Sequence, residues 1–316
     1  MGSPDLEMGR IQTVLGSISP DELGITYSHD HLLWCPPPPY AAQDPDLRLD
    51  SIDVAVQELS TFKAAGGQAF VEMSTPDVNR DPEGLREISK KSGVHVIAVT
   101  GHHKDKFSRH MVSDQTVSEL VDTMVGDLTE GMDDTDICAG VLKAATSENC
   151  MTDTEQKVFE AVAEAHLATG APVSTHTDAG TYALEQIEAL REGGVDPSHI
   201  VIGHLDRNLD WELHSAIADT GVFMGFDQIS KEKYAPDIER INFIRRLIET
   251  GHGDQILLSG DWARKSYWPS YGFGNGPGLT YILWRFVPWM LEEGISVENV
   301  EQIMIHNPAR AFSWKG

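Results

Sequence analysis

Four histidines, one lysine and one aspartate of this 316-residue sequence stand where short apolar runs break into polar loops. His29 and His31 follow Ile25-Thr26-Tyr27-Ser28, and Lys143 follows Ala139-Gly140-Val141-Leu142. His176 follows Pro172-Val173-Ser174-Thr175, His204 follows Ile200-Val201-Ile202-Gly203, and Asp261 follows Ile256-Leu257-Leu258-Ser259-Gly260. Neutral imidazole and carboxylate suit zinc, manganese, cobalt or iron, and a set without thiolate suits a catalytic site with open positions. Two histidines separated by one residue on a strand point to one face, with Asp30 turned to the other. Burying an unpaired ammonium is costly, so Lys143 at the end of an apolar run needs a reason. Its plain reason would be an ion pair with a strand-end carboxylate such as Glu72 or Asp261. Each piece alone has an ordinary explanation as a chance pair or a hydrogen-bonded core residue. Their recurrence, in this order, on five of these runs is the signal.

The elements that must position these residues read as eight strands. They are Gly24–Ser28, Ala69–Ser74, Val94–Thr100, Ala139–Ala144, Pro172–Thr175, Ile200–Gly203, Val222–Phe226 and Ile256–Ser259. Segments with helical spacing lie between most of them, such as Val54–Ala65 and Thr154–Thr169. Pro82 after Asp81 and Asp153 after Thr152 read as helix starts, and Gly66, Gly93, Gly170, Gly193, Gly221 and Gly251 punctuate the return to strand. Parallel strands alternating with helices give an α/β chain, and eight such units in this length predict a (β/α)8 TIM barrel. No Gly-x-Gly-x-x-Gly follows the first strand, which counts against a dinucleotide fold. In a barrel all six residues reach one rim, the rim on which active sites of this fold are assembled. The whole chain, 1–316, reads as one such domain, with residues 1–10 expected to lie outside the fold. Pro36–Pro39 reads as a stiff loop, and Asp127–Asp136 as a solvated acidic loop.

Composition narrows the partners. The formal net charge is −25, from 49 acidic and 24 basic side chains. Such a surface repels nucleic acid and anionic membranes, and an anionic substrate needs a local basic recess. The recess is sought on the loops after the seventh and eighth strands, where Lys231, Lys233, Arg264 and Lys265 cluster in a chain poor in cations. Cys35, Cys138 and Cys150 are too few for a disulfide framework and point to a reducing, cytoplasmic setting. No signal segment is visible, and no run approaches the ~18 apolar residues of a membrane span. Trp284 and Trp289, after the eighth strand, are either core or the face of a homodimer.

The arrangement resembles the phosphotriesterase-like branch of the amidohydrolase superfamily, along nearly the whole chain. The resemblance is carried by Thr13-Val14-Leu15-Gly16, Gly24 to His31, Gly140-Val141-Leu142-Lys143, Thr175-His176-Thr177, Ile202-Gly203-His204, Ser259-Gly260-Asp261-Trp262 and Asn307-Pro308-Ala309-Arg310-Ala311-Phe312. It implies two divalent ions, with zinc the first choice. His29, His31 and Asp261 would hold the more buried ion, and His176 and His204 the more exposed one. Lys143, N-carboxylated by carbon dioxide, would bridge both, which replaces the awkward ammonium with an anion. A hydroxide bridging the ions would be the nucleophile at neutral pH, and Asp261 would take its proton to the leaving group. Asp206, two residues past His204, would orient a ligand imidazole, relay that proton or cap the next helix.

Two departures bear on the substrate. Asp30 stands where these enzymes commonly have Glu, but it faces away from the metals. His102 and His103 end the third strand where organophosphate-hydrolysing relatives place an aromatic, which favours a polar pocket. Ala263 to Trp268 with Gly274-Asn275-Gly276-Pro277-Gly278 resembles the members that open a furanose 1,4-lactone carrying a 5-phosphate. That resemblance implies that Lys233, Arg264 and Tyr267 hold the phosphate. Other lactones, including acyl-homoserine lactones, phosphotriesters or aryl esters are the alternatives within the same chemistry. An amidase, an imine deaminase or a non-catalytic binding barrel are the alternatives outside it.

Overall fold

Eight parallel strands run side by side in sequence order, as seen in a computed structural model that describes residues 9–38 and 40–315. A two-stranded antiparallel hairpin, β1 (Ile11–Thr13) and β2 (Gly16–Ile18), precedes them. The barrel strands are β3 (Thr26–Asp30), β4 (Ala69–Glu72), β5 (His95–Gly101), β6 (Val141–Thr146), β7 (Val173–Thr177), β8 (Ile200–Gly203), β9 (Phe223–Phe226) and β10 (Ile256–Leu258). All eight expected strands are present. The hairpin was not anticipated, because two three-residue strands carry too short a pattern to read.

The strands are buried on both faces, and alternate residues serve two cores. Val71, Ile97, Val141, Val201, Phe223 and Leu257 fill the barrel, closed below by Ile11, Leu23 and Phe312. Their neighbours Phe70, Val96, Leu142, Ile202, Met224 and Leu258 pack outward against the helices. Because the side-chain period of a strand is two, Lys143 continues the inward register of Val141 towards the upper rim. The seam between first and last strands is closed by side chains: Ser28 Oγ donates to the carbonyl of Leu258 at 3.0 Å.

Helices follow most of the strands, and several of their starts are written locally. Asp81 caps Pro82–Ser92, Thr152 and Glu155 form a capping box on Asp153–Thr169, and Asp210 caps Trp211–Ala218. Asp127 departs from the expected solvated loop. It lies near the end of the helix Val117–Thr129 and is buried, accepting from Arg80 Nη1 at 2.8 Å and from Thr100. A buried carboxylate needs such partners, and Arg80 was not in the expected loop.

Residues 1–8 of the segment expected to lie outside the fold fall outside the described residues. Arg10 belongs to the fold: its carbonyl accepts from Trp314 N at 2.8 Å and its guanidinium lies 4.5 Å from the Trp314 ring. Among the described residues no helix is long and apolar enough to cross a membrane.

Candidate active site

The six strand-end residues meet at the upper rim. His29, His31, Lys143 and His204 are buried, His176 nearly so, and the Asp261 side chain keeps 19% of its surface exposed. The His29 ring lies 4.5 Å from that of His204, and His204 lies 4.4 Å from His176. His31 Nε2 is 3.5 Å from Asp261 Oδ1. Two overlapping groups have ligand atoms close enough to share an ion: His29, His31 and Asp261, and His29, His204 and Asp227. Backbone strain helps aim them. His204 and Asp261 adopt left-handed backbone with φ of 62° and 46°, which non-glycine residues take up only at a cost of order 1–3 kcal/mol.

Several atoms of the cluster lack the partners that burial demands. His29 Nδ1 and His176 Nε2 are buried without a hydrogen bond. Lys143 Nζ lies 3.1 Å from His29 Nε2 and forms no ion pair with a carboxylate among the described residues. Of the two expected salt-bridge partners, Glu72 instead accepts from Ser74 Oγ at 2.7 Å and from Leu32 N at 3.1 Å, and Asp261 pairs with Lys231. Unsatisfied buried imidazoles and a lone buried amine are costly in an apolar interior but suit divalent cations and a carbamate. The donor set therefore fits the two-ion centre.

Electrostatics point the same way. Burial pushes the imidazoles of His29 and His176 well below their usual range, and neighbouring cationic groups add to it. Both rings are neutral, the form that binds a metal. Burial also lowers the Lys143 amine to about 8, against the pull of Asp261 and Asp227. Asp261 goes the other way. Burial would raise its carboxyl, but the Lys231 ammonium, then His31, hold it well below the ordinary carboxylate range. Lys231 Nζ donates to Asp261 Oδ2 at 2.8 Å and to Gln228 Oε1 at 2.8 Å, while Gln228 Nε2 donates to Asp261 Oδ2 at 2.9 Å. Oδ1 of Asp261 is thus left facing the imidazoles.

Hydrogen bonds set which imidazole nitrogen faces the centre. His31 Nδ1 lies 2.9 Å from Ser74 Oγ, leaving Nε2 towards Asp261. His204 Nδ1 lies 2.6 Å from Asp227 Oδ1. Asp206 takes a different place from the one expected near His204. It accepts from Arg240 Nε at 2.7 Å, Gln228 N at 3.0 Å and Asp227 N at 3.1 Å. It therefore braces the segment that carries Asp227, and Asp210 caps the next helix. Lys231, sought in the recess for an anionic substrate, instead pairs with Asp261; Asp227 and Gln228 were not singled out from the sequence, although Asp227 carries the same signal, a charged residue ending the run Val222–Phe226.

Asp30 turns away from the candidate metal-binding face, after a register shift between Tyr27 and Asp30 in the pairing of β3 with β4. Its carboxylate accepts from Trp262 N at 2.7 Å across the seam. His103 is buried against His176, ring centres 4.6 Å apart, and its Nδ1 accepts from Lys104 N at 2.7 Å. The neutral ring therefore carries its proton on Nε2. Asp77 holds this corner through His102 Nδ1 at 3.1 Å and His103 N at 3.1 Å.

The three residues expected to hold phosphate are not equally free. Lys233 Nζ lies 4.7 Å from the Tyr234 ring and 6.0 Å from the Tyr267 ring. Arg264 is engaged: Nη1 donates to Asp44 Oδ2 at 2.8 Å and to Asp46 Oδ2 at 3.2 Å. Those acids sit on the loop after β3, more than two hundred residues earlier, so nothing local in the sequence signals the pairing.

Comparison with known proteins covers the same span. The family model described as Phosphotriesterase family matches residues 9–312. The phosphotriesterase homology protein of Escherichia coli (strain K12) is 33% identical over 293 residues, covering 92% of this chain and 99% of that protein. Its crystal structure, complexed with phosphate in the active site, superposes with a TM-score of 0.88, covering 93% of this chain and 100% of that one. An N-acetyltaurine hydrolase of Xenopus tropicalis is 31% identical over 347 residues, 97% of this chain and 99% of that protein. The lactonase Lmo2620 from Listeria monocytogenes has 36% identity and a TM-score of 0.91, covering 97% of this chain and 100% of that one.

Proposed function

The chain belongs to the phosphotriesterase family and is a hydrolase, and from that premise we propose that it is a metal-dependent lactonase opening a furanose 1,4-lactone that carries a 5-phosphate. The observation that carries the metal chemistry is the convergence of four imidazoles, Asp261 and the carboxylate-free Lys143 on one rim. His29, His31 and Asp261 would hold one ion, His176 and His204 the other, and Lys143, as a carbamate, would bridge them. Two divalent ions, zinc first among them, supply a nucleophile from water at neutral pH and polarise the carbonyl under attack.

The protein's own residues then divide the work. Asp261 presents Oδ1 to the centre while Lys231 and Gln228 hold Oδ2. That geometry fits a carboxylate that accepts the proton of the attacking water and hands it to the ring oxygen as the lactone opens. His103, with its proton on Nε2, offers a donor on the polar side of the pocket. Lys233 and Tyr267 would hold the phosphate, joined by Arg264 once it exchanges Asp44 and Asp46 for the substrate. The lactonase from Listeria monocytogenes and the phosphate in the Escherichia coli site support this reading.

A second reading is favoured by the relatives named N-acetyltaurine hydrolase: cleavage of an amide whose other end is a sulfonate. Both substrates join a hydrolysable carbonyl to a tetrahedral oxyanion. A small anionic substrate is therefore the proposed partner. Nucleic acid and anionic membrane are disfavoured by the charge of −25. The three free cysteines are in keeping with a cytoplasmic setting, and Trp284, 60% exposed, offers a face for a homodimer. Hydrolysis assays of metal-loaded protein on phosphorylated and unphosphorylated lactones, beside N-acetyltaurine, test the reading. Highest kcat/KM on a phosphorylated lactone is expected. Turnover of the amide alone would replace the lactonase reading.

A further inference from the structure

We propose that Arg207 is a specificity-determining residue that receives the oxyanion end of the substrate at the mouth of the barrel. The inference rests on the anionic-substrate reading above. Arg207 ends the short turn Leu205–Arg207 that begins immediately after His204. A guanidinium carries five N–H donors. Among the described residues this one makes a single hydrogen bond, from Nη1 to Asp178 Oδ1 at 3.3 Å. Its Nε is buried and has no partner. Its carbon lies 4.5 Å from the centre of the Tyr234 ring, against which Lys233 Nζ also lies, at 4.7 Å.

These contacts belong to one chain of residues around the rim. Asp178, two residues past His176, also pairs with Lys104, the residue after His103. Tyr234 joins Arg207 to Lys233, and Lys233 leads to Tyr267. Lys104, Arg207 and Lys233 thus come from the loops after β5, β8 and β9. Asp178 is the one carboxylate paired with any of them among the described residues. Three cations with one counter-charge are out of keeping with a chain of net charge −25, unless an anion completes them.

The chemistry selects Arg207 within this cluster. A buried N–H without an acceptor carries a desolvation cost that an incoming oxyanion removes. The guanidinium carbon lies over the Tyr234 ring at 4.5 Å, and a planar guanidinium offers paired donors suited to a phosphate or sulfonate. Arg264 contrasts with it. To meet the substrate Arg264 must leave two carboxylates, whereas Arg207 gives up one long hydrogen bond at most.

The test uses metal-loaded protein and the ratio of kcat/KM for a 5-phosphorylated lactone to that for its unphosphorylated analogue. Arg207→Ala should lower this ratio at least tenfold, chiefly through KM, and Arg207→Lys should restore part of it. The inhibition constants of inorganic phosphate and inorganic sulfate should rise by a similar factor, separating recognition of the bare oxyanion from recognition of the sugar. Arg207→Gln gives the same reading should the alanine variant fold poorly. A wild type that prefers the phosphorylated lactone, with variants that keep that preference, overturns the role of Arg207 alone. A wild type with no such preference, and no inhibition by either anion, removes the anionic-substrate reading and this inference together.

Discussion

Asp227 Oδ1 lies 2.6 Å from Nδ1 of His204, and the same carboxylate accepts the backbone N–H of His204 at 3.1 Å on each oxygen. The imidazole is thereby fixed at both its ring and its backbone, with Nε2 left for an ion. Carboxylates that orient a ligand histidine commonly contribute 10–100-fold in metal affinity. Asp227→Asn should therefore weaken binding of one of two ions by roughly 10–100-fold. Metal titration of apoprotein would show a split between a retained and a weakened site. Two unchanged affinities would mean that Asp227 does not orient His204.

Asp206 should behave differently, because it touches Arg240 and not an imidazole. Both side chains are fully buried, and removing one member of such a pair costs roughly 3–5 kcal/mol. Arg240 keeps Asp237 at 2.9 Å, so the loss for Asp206→Ala should fall at the low end. Denaturant unfolding should record that destabilisation while the folded variant still binds two ions. Loss of metal with unchanged stability would place Asp206 in the metal chemistry instead.

Lys143 is the residue whose replacement discriminates between a carbamate bridge and a buried cation. Lys143→Ala should lose activity by orders of magnitude and recover part of it with a small carboxylic acid that takes the bridging place. Lys143→Arg should not recover, since a fixed positive charge would sit between two cations. Near-normal activity of Lys143→Arg would contradict the bridge. The pH dependence of reconstitution follows from the same amine. Only the unprotonated amine combines with carbon dioxide, so its reactive fraction rises with pH and is half-maximal near the folded-state value of about 8. Reconstitution of apoprotein with bicarbonate and metal should accelerate through that range rather than near 10.5, the ordinary lysine value.

Much of this was readable from the sequence because one rule repeats: an apolar run of four or five residues, then a residue that can bind metal. The apolar runs alone located all eight barrel strands, the polar endings marked five of them, and the same ending applies equally to Asp227. The bonding of Lys231 was less legible, since its ammonium meets Asp261 from thirty positions away. The engagement of Arg264 by Asp44 and Asp46 was not legible at all, because barrel closure alone brings the first and last loops together. Periodicity reports which face a residue takes, whereas pairing between distant loops depends on the closed shape.

A charge-assisted hydrogen bond is worth roughly 1.5–3 kcal/mol, but Arg264 gives up Asp44 and Asp46 to form one with substrate. Arg264→Ala should therefore lower kcat/KM for a phosphorylated lactone by about tenfold, the low end of that range. Equal losses on phosphorylated and unphosphorylated lactones would show that Arg264 only ties the first loop to the last.

The proposed two-ion centre rests on His29, His31, Lys143, His176, His204 and Asp261. Its most direct test is a titration of chelator-stripped protein with a divalent metal in bicarbonate buffer, following bound metal and lactone hydrolysis together. Activity absent from the apoprotein should appear with metal and saturate near two ions per chain. Full activity at one ion per chain or fewer, or hydrolysis that survives complete chelation, would contradict it.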